Sequence, residues 1–308
     1  MTNVGIFFSL SGNKVQPLHR QNIFKLLDAC SFHIISNINQ LKNHGYNVEC
    51  NLLVNYVDEI YPGIEKYIED IFDNEKLRIN VSTILYGDLK EELFTNINYY
   101  TNESIKTNFH KYINNFDALW IQVYQFLRQS FNFSYDYYIR SRLDFLTIQD
   151  NLYKSLIDKF YHAHKFTFIG GDKSKGCCIT TDILLNGLGY GINISDQIYA
   201  MDRLAIEECF TNFHYMFDLD NFTQHKNNPS SPEEMLAHLL IKNHILTLAE
   251  PAANNLFLYW DPICDKYSID YLKDKKNLNN ICQEIDMQKR ENIDTLLAIE
   301  IQKRQLNV

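Results

Sequence analysis

The sequence predicts an α/β protein with a mostly parallel central sheet flanked by helices, and three observations carry that prediction. Strand-like runs alternate with stretches of helical apolar spacing over residues 4–85, and short connections between them imply right-handed crossovers and parallel strands. The first run, Val4-Gly-Ile-Phe-Phe8, is continuously apolar, as a strand covered on both faces is. The stretch Tyr135-Asp-Tyr-Tyr-Ile-Arg-Ser-Arg-Leu-Asp-Phe-Leu146 begins aromatic and ends charged, as a covered strand does where it emerges at a ligand-facing edge.

Taken in order, Val4–Phe8 is the first strand, and Ser9-Leu-Ser-Gly-Asn13 is the turn that ends it. Leu27, Cys30, Ile34, Ile38 and Leu41 recur at helical spacing before Gly45, which places a helix over 20–44. Val48–Val57 is a second strand, Ile64–Phe72 a short amphipathic helix, and Leu77–Leu85 an alternating third strand. Residues 87–104 are polar and Asn-rich and read as a loop. One long helix then carries Phe109, Tyr112, Ile113, Phe116, Trp120, Val123 and Leu127. After the Arg-rich strand come a helix over 150–161, a strand Phe166–Ile169, a polar loop Gly170–Gly176 and a strand Cys177–Leu185. Ile194-Ser-Asp-Gln197 opens a helix carrying Ile198, Met201, Leu204, Ala205 and Cys209; Glu233–His244 is another helix, and Leu246–Tyr259 returns to strand-like text. From about 276 onward the chain is polar and helical. The reading is one domain over 1–262 and a helical appendage over 263–308, the latter a surface helix or a route to homo-oligomers.

The 308 residues are 45% hydrophobic and 14% aromatic, enough for a large core. A net charge of −9 argues against general nucleic-acid binding, so a polyanionic ligand needs a local cationic cluster. No run has the apolar length to span a bilayer, and the start lacks the basic region of a signal peptide. Seven scattered cysteines, none at zinc-binding spacing, fit reduced thiols and a cytoplasmic location.

Side chains alternate along a strand, so Arg140, Arg142 and Asp144 share one face, and Ile139, Ser141, Leu143 and Phe145 the other. Two guanidiniums and a carboxylate in a row are costly to bury unless they pair or hold a ligand. An anion accompanied by a metal uses all three. Ser9, Leu10, Ser11 and Gly12 at the end of the first strand let a ligand approach the backbone, and Arg20 adds a charge. Ser231-Pro-Glu-Glu234 forms a complete helix start, with Ser231 as cap and Glu234 closing a capping box; either glutamate is also a candidate general base. Asp196, after Ser195, is a second acid at an expected helix start. His225 and His238 are single histidines, more simply structural than ligating. The P-loop and dinucleotide fingerprints are absent.

The Arg-x-Arg-x-Asp strand resembles that of nucleotide-sugar glycosyltransferases from bacterial surface-polysaccharide clusters and large DNA viruses. Ile194-Ser-Asp-Gln-Ile-Tyr-Ala200 and Ser231-Pro-Glu-Glu-Met-Leu-Ala-His-Leu-Leu240 are similar to two further segments of that family, and the likeness runs in order over residues 4–250. It implies a GT-A, Rossmann-like fold and a hexosyl or deoxyhexosyl donor bound through UDP or GDP. It also implies Mn2+ or Mg2+ on Asp144, although Arg142 replaces the first acid of the family's Asp-x-Asp pair. Arg140 and Arg142 would then neutralise the leaving diphosphate, Glu234 would act as base toward a glycan acceptor, and Asp196 is the rival base. Two other classes fit the same text: a nucleotidyltransferase, and an inactive nucleotide-sugar binder serving as a scaffold.

Overall fold

A computed structural model describes residues 1–11, 23–56, 63–100, 103–112, 119–143, 149–162, 171–181, 183–185, 192–194, 198–218, 232–250, 266–281 and 283–284. The chain runs β1 (Asn3–Ser11), α1 (Ile23–Asn43), β2 (Asn47–Tyr56), α2 (Ile64–Asn74), β3 (Ile79–Leu85), α3 (Tyr86–Tyr100), α4 (Glu103–Tyr112), α5 (Leu119–Phe131), β4 (Tyr137–Arg142) and α6 (Leu152–His162). It continues through β5 (Cys177–Thr180), β6 (Ile183–Leu185), β7 (Ile192–Ile194), β8 (Ile198–Asp202), α7 (Arg203–Thr211), α8 (Pro232–Lys242), β9 (Leu246–Ala249) and α9 (Ile269–Lys273).

Seven strands form one sheet in the order β3-β2-β1-β4-β8-β5-β9. All neighbours are parallel except β8, which runs antiparallel between β4 and β5. This is the α/β architecture expected, a mostly parallel sheet covered by helices on both faces. The pleat sorts the side chains of β1: Val4, Ile6, Phe8 and Leu10 join the buried cluster under α1, α2 and α6, while Phe7 joins the cluster under α3, α4, α5, α7 and α8. On α1, Leu27, Cys30, Ile34, Ile38 and Leu41 are all sealed, which is why a helix of that period lies flat on the sheet.

Several expectations need correction. Ser9–Ser11 is strand rather than turn, because β1 continues to pair with β2 through Ser11 opposite Asn55. The described residues of the stretch 87–104, which are 87–100 and 103–104, are helical, not a loop: Leu89, Leu93 and Ile97, spaced by four, are buried in the second cluster. The expected long helix is described as α4 and α5, with 113–118 outside the described residues. The run 177–185 divides, β6 leaving the main sheet to pair with β7.

The segment 198–201 is a strand, and its helix starts at Arg203. Ile198, Tyr199, Ala200 and Met201 are all fully buried, the pattern of a strand covered on both faces, and an apolar run this short fits either period. The true cap is Asp202, which accepts from Ala205 N at 2.9 Å and from Cys177 N at 3.0 Å. The expected strand 166–169 and the text beyond 250 up to 265 lie outside the described residues.

The C-terminal part, α9 and the helical residues 275–281, packs on α1. Leu272, Leu278 and Ile281 join the first cluster, and His33 donates from Nε2 to the Leu272 carbonyl at 2.9 Å. Among the described residues, no helix is long and apolar enough to cross a membrane.

Candidate active site at the carboxyl edge of the sheet

From β1 the chain moves to β2 and β3 on one side; β4 then lies on the other side of β1, so the strand order reverses between β1 and β4. In open α/β sheets that reversal opens a crevice outside the carboxyl ends of the strands, where ligands bind. Ser9 lies opposite Arg142 across this boundary, and Leu143 N donates to the Ser9 carbonyl at 3.3 Å. In parallel register the two side chains share a face. It is the face of Phe7 and Tyr138, toward α5 and α8. The Ser9 hydroxyl is buried and has no hydrogen-bond partner among the described residues.

The structure separates the two arginines of the strand. Arg142 is half-buried at the strand end. Arg140 is fully interior: its Nη2 donates to Gln122 Oε1 of α5 at 2.9 Å, and its guanidinium carbon lies 5.6 Å from the ring centre of Tyr199. Arg140 Nε and Nη1 have no hydrogen-bond partner among the described residues. Arg140 thus meets α5 instead of the open edge that the sequence reading gave it. On the opposite face, Ser141 accepts from the buried Tyr153 hydroxyl at 3.1 Å, which anchors the strand to α6.

The amino end of α8 reaches the same edge. Residues 243–245 join α8 directly to β9, and β9 runs in the sense of β4 through the antiparallel β8. A helix that turns straight into such a strand runs antiparallel to it, so Pro232 begins at the carboxyl edge, with Met235, Leu236 and Leu239 buried against the sheet. Glu234 belongs to this first turn; its side chain lies outside the described residues.

Leu10 is buried under α1 and α2, and Ser11 ends β1. Gly12, Arg20, Asp144 and Asp196 lie outside the described residues. Along the chain, Asp144 follows Arg142 by two residues, and Asp196 precedes by two Ile198, the partner of Ser141. Among the described residues no group of three His, Cys, Asp or Glu side chains could enclose a metal ion.

Four supporting residues escaped the sequence reading: Gln122, Tyr199, Asn37 and Gln40. Asn37 Oδ1 accepts from Leu152 N at 2.8 Å and its Nδ2 donates to Gln149 O at 3.3 Å; Gln40 Oε1 accepts from Asn151 N at 2.7 Å. The available signal was a polar residue on an apolar helix face, as with Asn37 between Ile34 and Ile38 and Gln122 beside Ile121 and Val123.

Comparison with protein-family models finds no match, and comparison with curated proteins finds none. Among solved structures, the chain is similar to mouse xyloside xylosyltransferase 1 in its apo form, at 7% identity and a TM-score of 0.42, covering 81% of this chain and 84% of that one. It is also similar to CMP:2-keto-3-deoxy-manno-octonic acid synthetase complexed with CTP, at 11% identity and a TM-score of 0.38, covering 92% of this chain and 100% of that one.

Proposed function

We propose that this protein is a glycosyltransferase of GT-A layout that moves a sugar from a nucleoside-diphosphate sugar to a glycan acceptor. The observation that supports this most is the pairing of Ser9 with Arg142 at the strand-order reversal, because the Arg-x-Arg-x-Asp strand ends where an open sheet receives a nucleotide. Arg142 supplies positive charge to the departing diphosphate, whose negative charge grows in the transition state. The backbone from Ser9 to Gly12, with Arg20, receives the nucleotide. Arg140, held by Gln122, fixes the strand behind Arg142.

A single carboxylate at Asp144 suits Mn2+ or Mg2+, ions that keep waters and lean on substrate phosphates. If bound there, such an ion would be held by Asp144 and would supply positive charge to the departing diphosphate. Glu234, in the turn of α8 that begins at this edge, takes the proton from the acceptor hydroxyl; Asp196 is the second candidate for that step.

A thermal-shift screen of nucleotides with and without Mn2+ tests the reading. UDP or GDP should raise the melting temperature, and the matching sugar nucleotide should be consumed with a glycan acceptor present. Stabilisation by nucleoside triphosphates alone would turn the assignment to nucleotidyl transfer. Diphosphate binding without turnover would make the protein a nucleotide-sugar binder, the outcome that replacement of the first Asp-x-Asp acid by Arg142 favours. No response to any nucleotide would overturn the proposal.

A further inference from the structure

Among the described residues, Arg140 is a fully buried cation that no carboxylate accompanies. A guanidinium keeps its charge in the interior, so its burial is costly unless an anion meets it. Arg128, Lys159, Arg203 and Lys242 are all more exposed, and each meets a carboxylate at 3.0 Å or less. Arg140 makes one neutral hydrogen bond to a described residue, to Gln122 Oε1 at 2.9 Å, while Nε and Nη1 have no partner among the described residues. The Tyr199 ring, centred 5.6 Å from the guanidinium carbon, offsets only part of the lost hydration.

The strand fixes the side from which an anion arrives. Arg140 and Arg142 share a face, and two residues of strand span about 7 Å. Arg142 stands at the edge opposite Ser9, so Arg140 lies one such step inward from the place given to the diphosphate. The Ser9 hydroxyl, also buried and without a hydrogen-bond partner among the described residues, shares this face and marks a polar path inward. Beyond it, Phe7 lies opposite Arg140 on β1 and Tyr199 on β8, and both rings pack on Phe126 of α5 with centres 5.5 Å apart. A layer filled in this way takes an end group of a ligand and not a nucleoside. In a sugar nucleotide the group joined to the diphosphate is the sugar, so the anion in reach of Arg140 is a charged substituent of that sugar. A planar guanidinium matches a carboxylate, and Arg140 exchanges one neutral hydrogen bond for charge-assisted ones. Arg140 is closed to water in the free protein, so its long side chain turns toward the edge as the ligand arrives.

We propose that Arg140 reads a carboxylate on the transferred sugar, which makes the donor a nucleoside-diphosphate uronic acid. The inference rests on the function proposed above and names its substrate class. A structural role alone leaves the charge of Arg140 without a purpose, because an apolar side chain of similar volume fills a core at less cost.

The test is calorimetric titration of the full chain with UDP-glucuronic acid against UDP-glucose, and with GDP-mannuronic acid against GDP-mannose. The wild-type chain should bind the acidic member of one pair about tenfold or more tightly than the neutral member. Arg140→Met should bring that ratio to within about twofold of unity. Gln122→Glu should do the same, because it keeps the arginine and gives it an internal carboxylate; it decides the matter where the first variant folds poorly. Equal affinity within both pairs, with UDP or GDP itself bound, overturns the inference and leaves the proposed function standing. A preference that persists in both variants also overturns it and moves recognition to another cation. Stabilisation by chloride or phosphate that disappears in Arg140→Met, with no preference between the sugar nucleotides, overturns it in favour of a small inorganic anion. If neither UDP nor GDP binds, the proposed function falls and this inference falls with it.

Discussion

Arg140 Nη2 donates to Gln122 Oε1 at 2.9 Å inside the core, whereas Arg142, two residues on and on the same face, stands at the strand end opposite Ser9. One strand thus carries an interior cation and an edge cation, and the two should separate on substitution. Arg142→Met should weaken nucleoside-diphosphate binding at least tenfold, about 1.4 kcal/mol, with stability kept. Arg140→Met should leave that affinity within about threefold. It removes a desolvated charge but strands the Gln122 carbonyl, and these effects oppose each other, so stability should change by less than about 2 kcal/mol. Calorimetric titration and urea unfolding measure both variants. Equal loss of affinity in the two would contradict this division of roles.

Asp144→Ala should abolish turnover while the melting temperature and the urea midpoint stay at wild-type values. The carboxylate is assigned to a bound ion, so the variant should also lose any stabilisation that Mn2+ adds in the presence of diphosphate. Turnover at the wild-type rate would remove this acid from the mechanism.

His238 is buried on α8 near the Lys242–Asp218 ion pair, at 3% exposure. Burial pushes its pKa down to about 4; Lys242 pushes the same way and Asp218 partly opposes. The unfolded chain takes this proton near 6.5 and the folded chain only near 4, so unfolding binds a proton between those values. Stability is therefore fully present above 6.5 and falls as pH drops through that window, by roughly 3 kcal/mol from this group. Denaturant unfolding at pH 7, 5.5 and 4.5 should show that slope, and His238→Leu should flatten it. A slope unchanged in the variant would assign the acid sensitivity to other groups.

Gly176 has φ 108°, and a Cβ there would stand 2.2 Å from Ala205 N, a backbone atom of α7. Gly176→Ala combines an unfavourable backbone conformation with a clash against main chain, and should cost about 3 kcal/mol or more. Because the following residue begins β5 and its N–H meets the Asp202 cap, the loss should also loosen the start of α7. An unfolding midpoint equal to wild type would show that the turn can adopt another shape.

The sequence by itself determined the elements whose signal is local. β1 to β3 with α1 and α2 were legible because their apolar residues repeat at the period of the element that buries them. The Arg-x-Arg-x-Asp strand was legible because alternation along a strand assigns faces without reference to any partner. Only the tertiary structure decided the rest. Ile198–Met201 became strand because β4 and β5 lie on either side of it and supply the pairing that a short apolar run cannot specify. Leu89, Leu93 and Ile97 form a helical stripe inside polar text that dilutes its period. Arg140 and Arg142 read alike in sequence; α5 arrives over Arg140 and holds it in the interior, and that is set by packing between segments far apart in the chain.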